Sequence, residues 1–478
     1  MGHKPVAHVL IFPFPAQGHI NSMLKLAELL CFSGLHVTFL NTKHYHQRLL
    51  RFTNAQTRFA CFPKFRFETI PDGLPDDHSR SVNYVNDLIT GLESVKPAFR
   101  ELIIFSHLKS DNRPPVTCTI LDGLIAFFMD VTKELGIPSI SFRTASGSYL
   151  WSCFCCHKLI EAGEFPFADN DMDKLITSVP GMESFVRRRD LPSFYRAKDL
   201  NDPFLQLAVT QTLNSTNASA TILNTFEDLE GPIISQMTPH FPKIYTIGPL
   251  HAQLNSRRPN SSQTSDSSNS LWEIDRSCMT WLDSQPLKSV VYVSFGSIAS
   301  ITRDEMLEFW YGLVNSRKRF LWVIRPDSVK DNDEKSQIPA VLTEGTQERG
   351  YIVGWCPQEE VLVHPAVGGF VTHSGWNSTL ESIIAGLPMV CWPHLADQQI
   401  NSRFVSEIWK IGLDMKDMCD RSSVEKMVND LMENRRDELE KSMNKISQMA
   451  KKSVTEGGSS WCNMEDLIED IKSMKLQV

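Results

Sequence analysis

The alternation of short apolar runs with helical periodicities predicts an α/β protein with two parallel-sheet domains. Three observations carry this reading. The first half of the chain opens on a β-α-β pattern, the same pattern restarts near residue 290, and a polar interval separates the two. At 478 residues the chain is long enough for two or three domains, each with its own apolar core. Two Rossmann-like domains facing a cleft follow from this pattern.

Residues 7–15 are an apolar run of the kind that forms a buried strand. Met23, Ala27 and Leu30 then recur at helical spacing, Gly34 closes that helix, and the β-rich run 37–40 completes the first β-α-β unit. The alternation continues through 116–121, 127–135 and 138–142. Between residues 254 and 270 the composition turns to Ser, Asn, Gln, Arg and Pro, as expected of a flexible linker. The boundaries expected are an N-terminal domain over 1–250, a linker over 251–271 and a C-terminal domain over 272–455. In the last of these, strands are read at 290–295, 320–324, 351–353, 369–372 and 389–392, with a capping box formed by Thr302 and Glu305.

Composition narrows the function classes. The chain has 48 Lys and Arg against 56 Asp and Glu, a formal charge of -8, so nothing draws it to phosphate backbones or anionic lipid, and no nucleic acid partner is expected. No 18-residue apolar stretch predicts a membrane span, and the N-terminus reads as a buried strand rather than a signal peptide. Eleven cysteines at irregular spacing read as reduced thiols of a cytoplasmic protein. Cys153, Cys155, Cys156 and His157 contain a C-x-x-C but lack a second ligand pair, so core packing is the reading and no metal site is expected. The sequons at Asn214, Asn217, Asn260 and Asn377 carry no weight without a secretory signal.

The densest chemistry lies where the strand ending at Thr372 meets a helix expected to begin near Ser378. Gly375 would let the backbone approach a ligand, and the unpaired amides of the helix start would face an anion such as a diphosphate. His373, Asn377 and Ser378 would add side-chain donors, and a second glycine turn at Gly296 and Ser297 would approach from a neighbouring strand end. Simpler readings stay open. Ser378 and Glu381 also spell a plain capping box, His373 suits a structural role, and Trp355 and Trp376 suit a core.

The 44 residues from 355 to 398, WCPQEEVLVHPAVGGFVTHSGWNSTLESIIAGLPMVCWPHLADQ, resemble the signature box of plant small-molecule UDP-glycosyltransferases without a gap. The opening PFPAQGHI and the segment SVVYVSFGS extend the resemblance over the whole chain. The resemblance implies a GT-B fold, a terminal helix over 456–478 that packs on the N-terminal domain, and an inverting transfer from UDP-glucose as co-substrate with no metal. It implies that Trp355 stacks on uracil, that the backbone of Cys356 pairs with it where most relatives carry alanine, and that Glu381 holds the ribose. His373, Asn377, Ser378 and Ser297 would bind the diphosphate, while Trp376, Asp397 and Gln398 would face the sugar. A closing glutamine favours glucose, whose adjacent hydroxyls suit carboxylate and amide partners.

His19 follows the first strand at the sheet's C-terminal edge, where open α/β sheets bind ligands, and a neutral imidazole is matched to removing a proton from an acceptor hydroxyl. Asp122, just beyond the strand at 116–121, is placed to orient that imidazole. The family's catalytic dyad matches His19 and Asp122, and Thr144 matches a position that touches the sugar or its phosphate, against the simpler reading of a helix cap. The segments HVLIFPFPAQGHINSMLKLAELL and ETIPDGLPDD resemble the subgroup that glucosylates terpenoids, iridoids among them, with phenolics as the alternative. The acceptor pocket is expected from loops over 62–87 and 151–196, and a monomer is expected. A nicotinamide oxidoreductase fits less well because PFPAQGH lacks G-x-G-x-x-G, a sensor because both dyad residues are present, and a serine hydrolase because no G-x-S-x-G occurs.

Overall fold

The computed structural model describes residues 6–78, 80, 85–108, 113–258, 269–325, 328–330 and 349–476. The chain divides into two compact units. The first gathers Met1–Gly163, Ala197–Trp272 and Lys452–Val478, and the second gathers Glu164–Arg196 and Glu273–Lys451.

The sheet of the first unit has seven strands: β1 (His8–Phe12), β2 (His36–Thr42), β3 (Phe65–Ile70), β4 (Cys118–Asp122), β5 (Ser139–Arg143), β6 (Ala220–Leu223) and β7 (Ile244–Thr246). Their order is β3-β2-β1-β4-β5-β6-β7, and every pairing is parallel. A parallel sheet is covered on both faces, which explains why β1 and β4 are wholly buried and read as unbroken apolar runs. The strand order reverses direction between β1 and β4, so their C-terminal ends flank the topological switch point.

One face of this sheet is covered by the helix Gln17–Phe32, whose Met23, Leu24, Ala27 and Leu30 are buried. The helices Leu250–Arg257 and Ser459–Ser473 complete the same core, through Leu250 and Leu254 and through Met464, Leu467, Ile468 and Ile471. The terminal helix is also tied by polar contacts. Tyr245 donates its hydroxyl to Asp470, Lys243 pairs with the same carboxylate at 2.8 Å, and Asn463 donates to the Thr246 carbonyl at 3.1 Å.

The interval read as a linker is therefore structured at both of its ends. Its polar composition concealed the helical spacing of Leu250 and Leu254, while Leu271 is fixed by Gln17, which accepts from its amide at 2.6 Å, and by Arg48, which donates to its carbonyl at 3.0 Å. The middle of that interval, 259–268, lies outside the described residues.

The second unit carries β8 (Val290–Ser294), β9 (Ile301–Thr302), β10 (Arg319–Val323), β11 (Val329–Lys330), β12 (Gly350–Val353), β13 (Val367–Thr372), β14 (Met389–Cys391) and β15 (Gly412–Asp414). Six of them form a parallel sheet ordered β12-β10-β8-β13-β14-β15, while β9 and β11 pair separately. Here the order reverses between β8 and β13. The helix Arg303–Asn315 begins with the expected capping box, Glu305 N donating to Thr302 Oγ1 at 3.2 Å and Thr302 N to Glu305 Oε2 at 2.7 Å.

The segment Glu164–Arg196 lies in sequence between β5 and β6 yet belongs to the second unit, although the sequence reading counted it with the first. Its attachment is a buried charge cluster that residue spacing does not reveal. Asp190, fully buried, contacts Lys416 at 2.6 Å, Arg187 at 2.9 Å and Arg403 at 3.2 Å. Burial alone would raise its pKa, but Arg187 and Lys416 hold the carboxyl below the ordinary aspartate value. Cys153, Cys155 and Cys156 are buried free thiols of the first unit, with burial pushing Cys153 up to about 12.

The terminal helix gives a direct test of packing. Ile468→Ala removes a fully buried side chain and should cost about 2–5 kcal/mol in a guanidinium titration. Lys472→Ala, on the exposed face of the same helix, should change stability by less than about 0.5 kcal/mol.

Candidate active site

Phe12 ends β1, and after four intervening residues the helix Gln17–Phe32 starts, which puts His19 in the first turn of that helix. Asp122 ends the neighbouring β4. The switch point thus brings together residues 103 positions apart, with His19 Nδ1 2.7 Å from Asp122 Oδ2. The His19 side chain is 20% exposed and that of Asp122 only 1%, so the imidazole meets solvent while the carboxylate is sealed behind it. The other carboxylate oxygen accepts from Leu124 N at 3.0 Å, which fixes the plane of the group. Thr144 Oγ1 lies 2.9 Å from the same Nδ1. A proton on Nδ1, shared toward these oxygens, leaves Nε2 as the basic nitrogen. Thr144 does not cap the following helix. Ser146 does, accepting from Tyr149 N at 3.2 Å.

Gly123 and Arg143, which sequence reasoning passed over, shape the turn behind this pair. Arg143 donates to the Gly123 carbonyl at 2.8 Å, and a Cβ on Gly123 would fall 2.1 Å from the Arg143 side chain.

In the second unit β8 runs into Gly296 and Ser297, and β13 runs through His373 and Ser374 into the helix Trp376–Ala385. The two glycine turns close on one imidazole. A Cβ on Gly296 would lie 2.3 Å from His373 Nε2, and one on Gly375 would lie 2.4 Å from it. Gly296 has φ +74°, a conformation that disfavours a side chain for a second reason. Desolvation pushes the His373 pKa down to about 3, with His394 and Arg325 adding to the effect, so the ring is neutral at physiological pH. Beneath this turn lies Arg325, a buried cation that sequence reasoning missed. It donates to the carbonyl of Gly296 and, at 3.2 Å, to that of Ala299.

The helix begins with Gly375 as its N-cap, so Trp376, Asn377 and Ser378 form its first turn, the end of a helix where backbone amides point outward along the axis. Ser378 is therefore not a capping residue, and the capping-box reading fails. Its hydroxyl instead accepts from Gln358 Nε2 at 2.9 Å, and the same nitrogen donates to Glu381 Oε2 at 2.7 Å. Gln358 Oε1 in turn accepts from Tyr292 at 3.1 Å, and Cys356 Sγ lies 3.3 Å from that hydroxyl. Gln358 thus orients two of the expected ligand residues, although nothing in its spacing marked it out. Cys356 turns its thiol to buried Tyr292, and the carbonyl of Trp355 accepts from Asp275 N at 2.9 Å. Trp376 is buried, with its ring 6.2 Å from that of Trp409.

Asp397 and Gln398 follow β14 at the same edge of the sheet. Asn401 Nδ2 donates to Asp397 Oδ2 at 2.8 Å and to the Ser374 carbonyl at 3.0 Å. Gln398 Oε1 accepts from the amides of His394 at 2.8 Å and Leu395 at 3.0 Å. Ser374 and Ala396, with φ of 64° and 53°, hold left-handed backbone that residues with a Cβ rarely adopt. Among the described residues no group of three or more His, Cys, Asp or Glu is arranged to hold a metal ion, and no helix is long and apolar enough to cross a membrane.

A His–Asp pair at one switch point, with an anion-suited helix start and paired glycine turns at another, is the equipment of a group-transfer enzyme that uses a nucleotide-linked donor. Comparison with known proteins makes this specific. A family profile described as UDP-glucoronosyl and UDP-glucosyl transferase matches residues 259–453, and one described as glycosyltransferase, N-terminal domain, matches residues 4–135. The 7-deoxyloganetic acid glucosyltransferase of Catharanthus roseus is 57% identical over 470 residues, covering 98% of each chain. The myricetin 3-O-rhamnoside 1,2-glucosyltransferase of Crocosmia x crocosmiiflora is 47% identical over 472 residues, covering 98% of this chain and 96% of that one. The crystal structure of a UDP-glucose: anthocyanidin 3-O-glucosyltransferase in complex with UDP superposes with a TM-score of 0.84 at 26% identity, over 98% of this chain and 100% of that one. The chain belongs to the UDP-glycosyltransferase family, and its fold class is GT-B.

Two outcomes test the second-unit geometry. Gln358→Leu should weaken UDP binding about tenfold by calorimetry, because Glu381 and Ser378 lose their shared donor, and Gln358→Glu should weaken it further by setting two carboxylates together. His373 also has a pH signature. Its imidazole takes up a proton near 6.5 when unfolded but only near 3 when folded, so the unfolded state binds more protons between those values. The stability it contributes is full above pH 6.5 and is lost as pH falls toward 3. His373→Gln should flatten that acid limb in urea titrations taken from pH 4 to pH 7.

Proposed function

We propose that the enzyme transfers glucose from UDP-glucose, with inversion, to a hydroxyl of a small lipophilic plant metabolite, a terpenoid such as an iridoid. The observation that carries the chemistry is the 2.7 Å contact between His19 Nδ1 and the buried Asp122 carboxylate, which commits Nε2 to accepting a proton. The acceptor oxygen, losing its proton to Nε2, attacks the anomeric carbon opposite the leaving diphosphate and gives a β-glucoside from the α-linked donor. Positive charge on the imidazole is stabilised by Asp122. Negative charge grows on the diphosphate as the glycosidic bond breaks, and we assign its stabilisation to the amides of Trp376, Asn377 and Ser378, with Ser297 and His373 as further partners. His373 acts in this scheme as a neutral hydrogen-bonding group, in keeping with its depressed pKa.

We assign the uracil to Trp355 and the backbone of Cys356, the ribose to Glu381 oriented by Gln358, and the sugar hydroxyls to Asp397 and Gln398. Thr144 touches both the imidazole and the transferred group in this reading. The iridoid assignment rests on the Catharanthus roseus relative, and the Crocosmia relative supports a flavonoid glycoside as the second acceptor class. We take the protein to be a cytoplasmic monomer that works without a metal, and all eleven cysteines as free thiols support the reducing compartment.

The reaction is tested by mass spectrometry of the purified protein with UDP-glucose and a panel of iridoid, other terpenoid, flavonoid and carboxylic-acid acceptors. Wild type should add one hexosyl unit, and His19→Ala should lower kcat about 10²–10⁴-fold with UDP binding unchanged. An undiminished rate in His19→Ala sinks the general-base assignment. Tight UDP-glucose binding with no product from any acceptor would favour a nucleotide-sugar sensor instead.

A further inference from the structure

The loop that carries Asp397 and Gln398 is held by a segment from the other half of the sequence. Ser193 N donates to the Ala396 carbonyl at 3.2 Å, and Ala396 N donates to Ser193 Oγ at 2.8 Å. The pair is reciprocal, so both backbone groups of Ala396 are fixed by one residue. Ala396 itself has φ 53°, a strained conformation for a residue with a Cβ, and lies one position before Asp397.

Ser193 is immobilised in turn. Three residues before it, Asp190 is fully buried against Lys416 at 2.6 Å and Arg403 at 3.2 Å, and Arg403 Nε also donates to the Phe185 carbonyl at 2.8 Å. Lys416 Nζ reaches the Gln399 carbonyl at 3.1 Å, next to Gln398. The clamp therefore grips the loop on both sides of Asp397 and Gln398. The nucleotide end of the same unit is held by other residues, with Tyr292 and Gln358 orienting Glu381 and Ser378, and Asp275 fixing Trp355.

We infer that Ser193 is a positioning residue for donor-sugar selection, setting the loop at Ala396 so that Asp397 and Gln398 meet the sugar hydroxyls. This rests on the assignment of Asp397 and Gln398 to the sugar. A group displaced by about 1 Å can cost about 10²-fold in rate, so a loosened loop costs most where the orientation of a single hydroxyl is read. Release of the clamp blurs discrimination between hexoses while the hold on the nucleotide persists.

The test uses the full-length enzyme and two donors that differ only at the C4 hydroxyl, UDP-glucose and UDP-galactose, with UDP alone as the nucleotide probe. Ser193→Ala should lower kcat/KM for UDP-glucose about tenfold and shrink the glucose-to-galactose ratio at least fivefold, with the Kd for UDP within twofold of wild type. Ser193→Thr, which keeps the hydroxyl, should restore the ratio. Equal loss of UDP and UDP-glucose binding in Ser193→Ala would mark a general structural role and overturn the inference, as would an unchanged ratio. Asp397→Ala and Gln398→Ala run in parallel separate the two claims. If they collapse the ratio and Ser193→Ala does not, the inference alone fails; if they leave the ratio intact, the sugar assignment fails and takes the inference with it.

Discussion

In both units the strands pair only in parallel, so along the inner strands backbone polar groups are consumed by the ladders except at the strand ends. The reversal of strand order then separates two crossover connections that leave in opposite directions, and a crevice opens at the C-terminal ends of β1 and β4, and of β8 and β13. His19 and Asp122 stand at the first of these points, and the turns at Gly296 and Gly375 at the second. The chemistry is located by this constraint before any side chain is chosen. Side chains then refine it: a sealed carboxylate fixes which imidazole nitrogen is basic, and two glycines allow a neutral ring to sit between two strand ends.

Charge is managed by burial with partners rather than by exposure. Arg325 is 2% exposed and donates to backbone carbonyls of the Gly296 turn, which places a cation beneath the turn that carries Ser297, one of the residues proposed for the diphosphate. Asp190 is tolerated inside only because several cations surround it, since an unpaired buried carboxylate is far more costly than a paired one. Such a cluster adds little net stability over an apolar one of the same volume, but it permits a single arrangement. That suits a device that must hold a loop in one position.

The sequence made some of this legible for physical reasons. β1, β8 and β13 are buried on both faces and so read as continuous apolar runs, and the Thr302 capping box is local enough to be seen in four residues. β3, FRFETI, was not recognised, because it is a partly exposed edge strand of mixed character, and β7 is only three residues long. The capping-box alternative for Ser378 stays open in the sequence because S-x-x-E has the same spelling whether the serine precedes the helix or lies in its first turn. Gln358 and Arg325 leave no local signal because their roles depend on partners 20 to 66 positions away, and Asp190 because Lys416 is 226 positions away. Contacts of that separation leave no periodicity to detect.

The path of the chain has an evolutionary consequence. It passes between the units at 163/164, 196/197, 272/273 and 451/452, so neither unit is one continuous stretch of gene. A recombination event that joins the front half of one relative to the back half of another imports a foreign segment 164–196 into the second unit and a foreign terminal helix into the first. Asp190 must then meet the Lys416 and Arg403 of a different ancestor, and Tyr245 a different Asp470. Exchange of halves is thereby filtered for lineages that kept these partners in common, and diversification by point substitution within the loops is the less obstructed route.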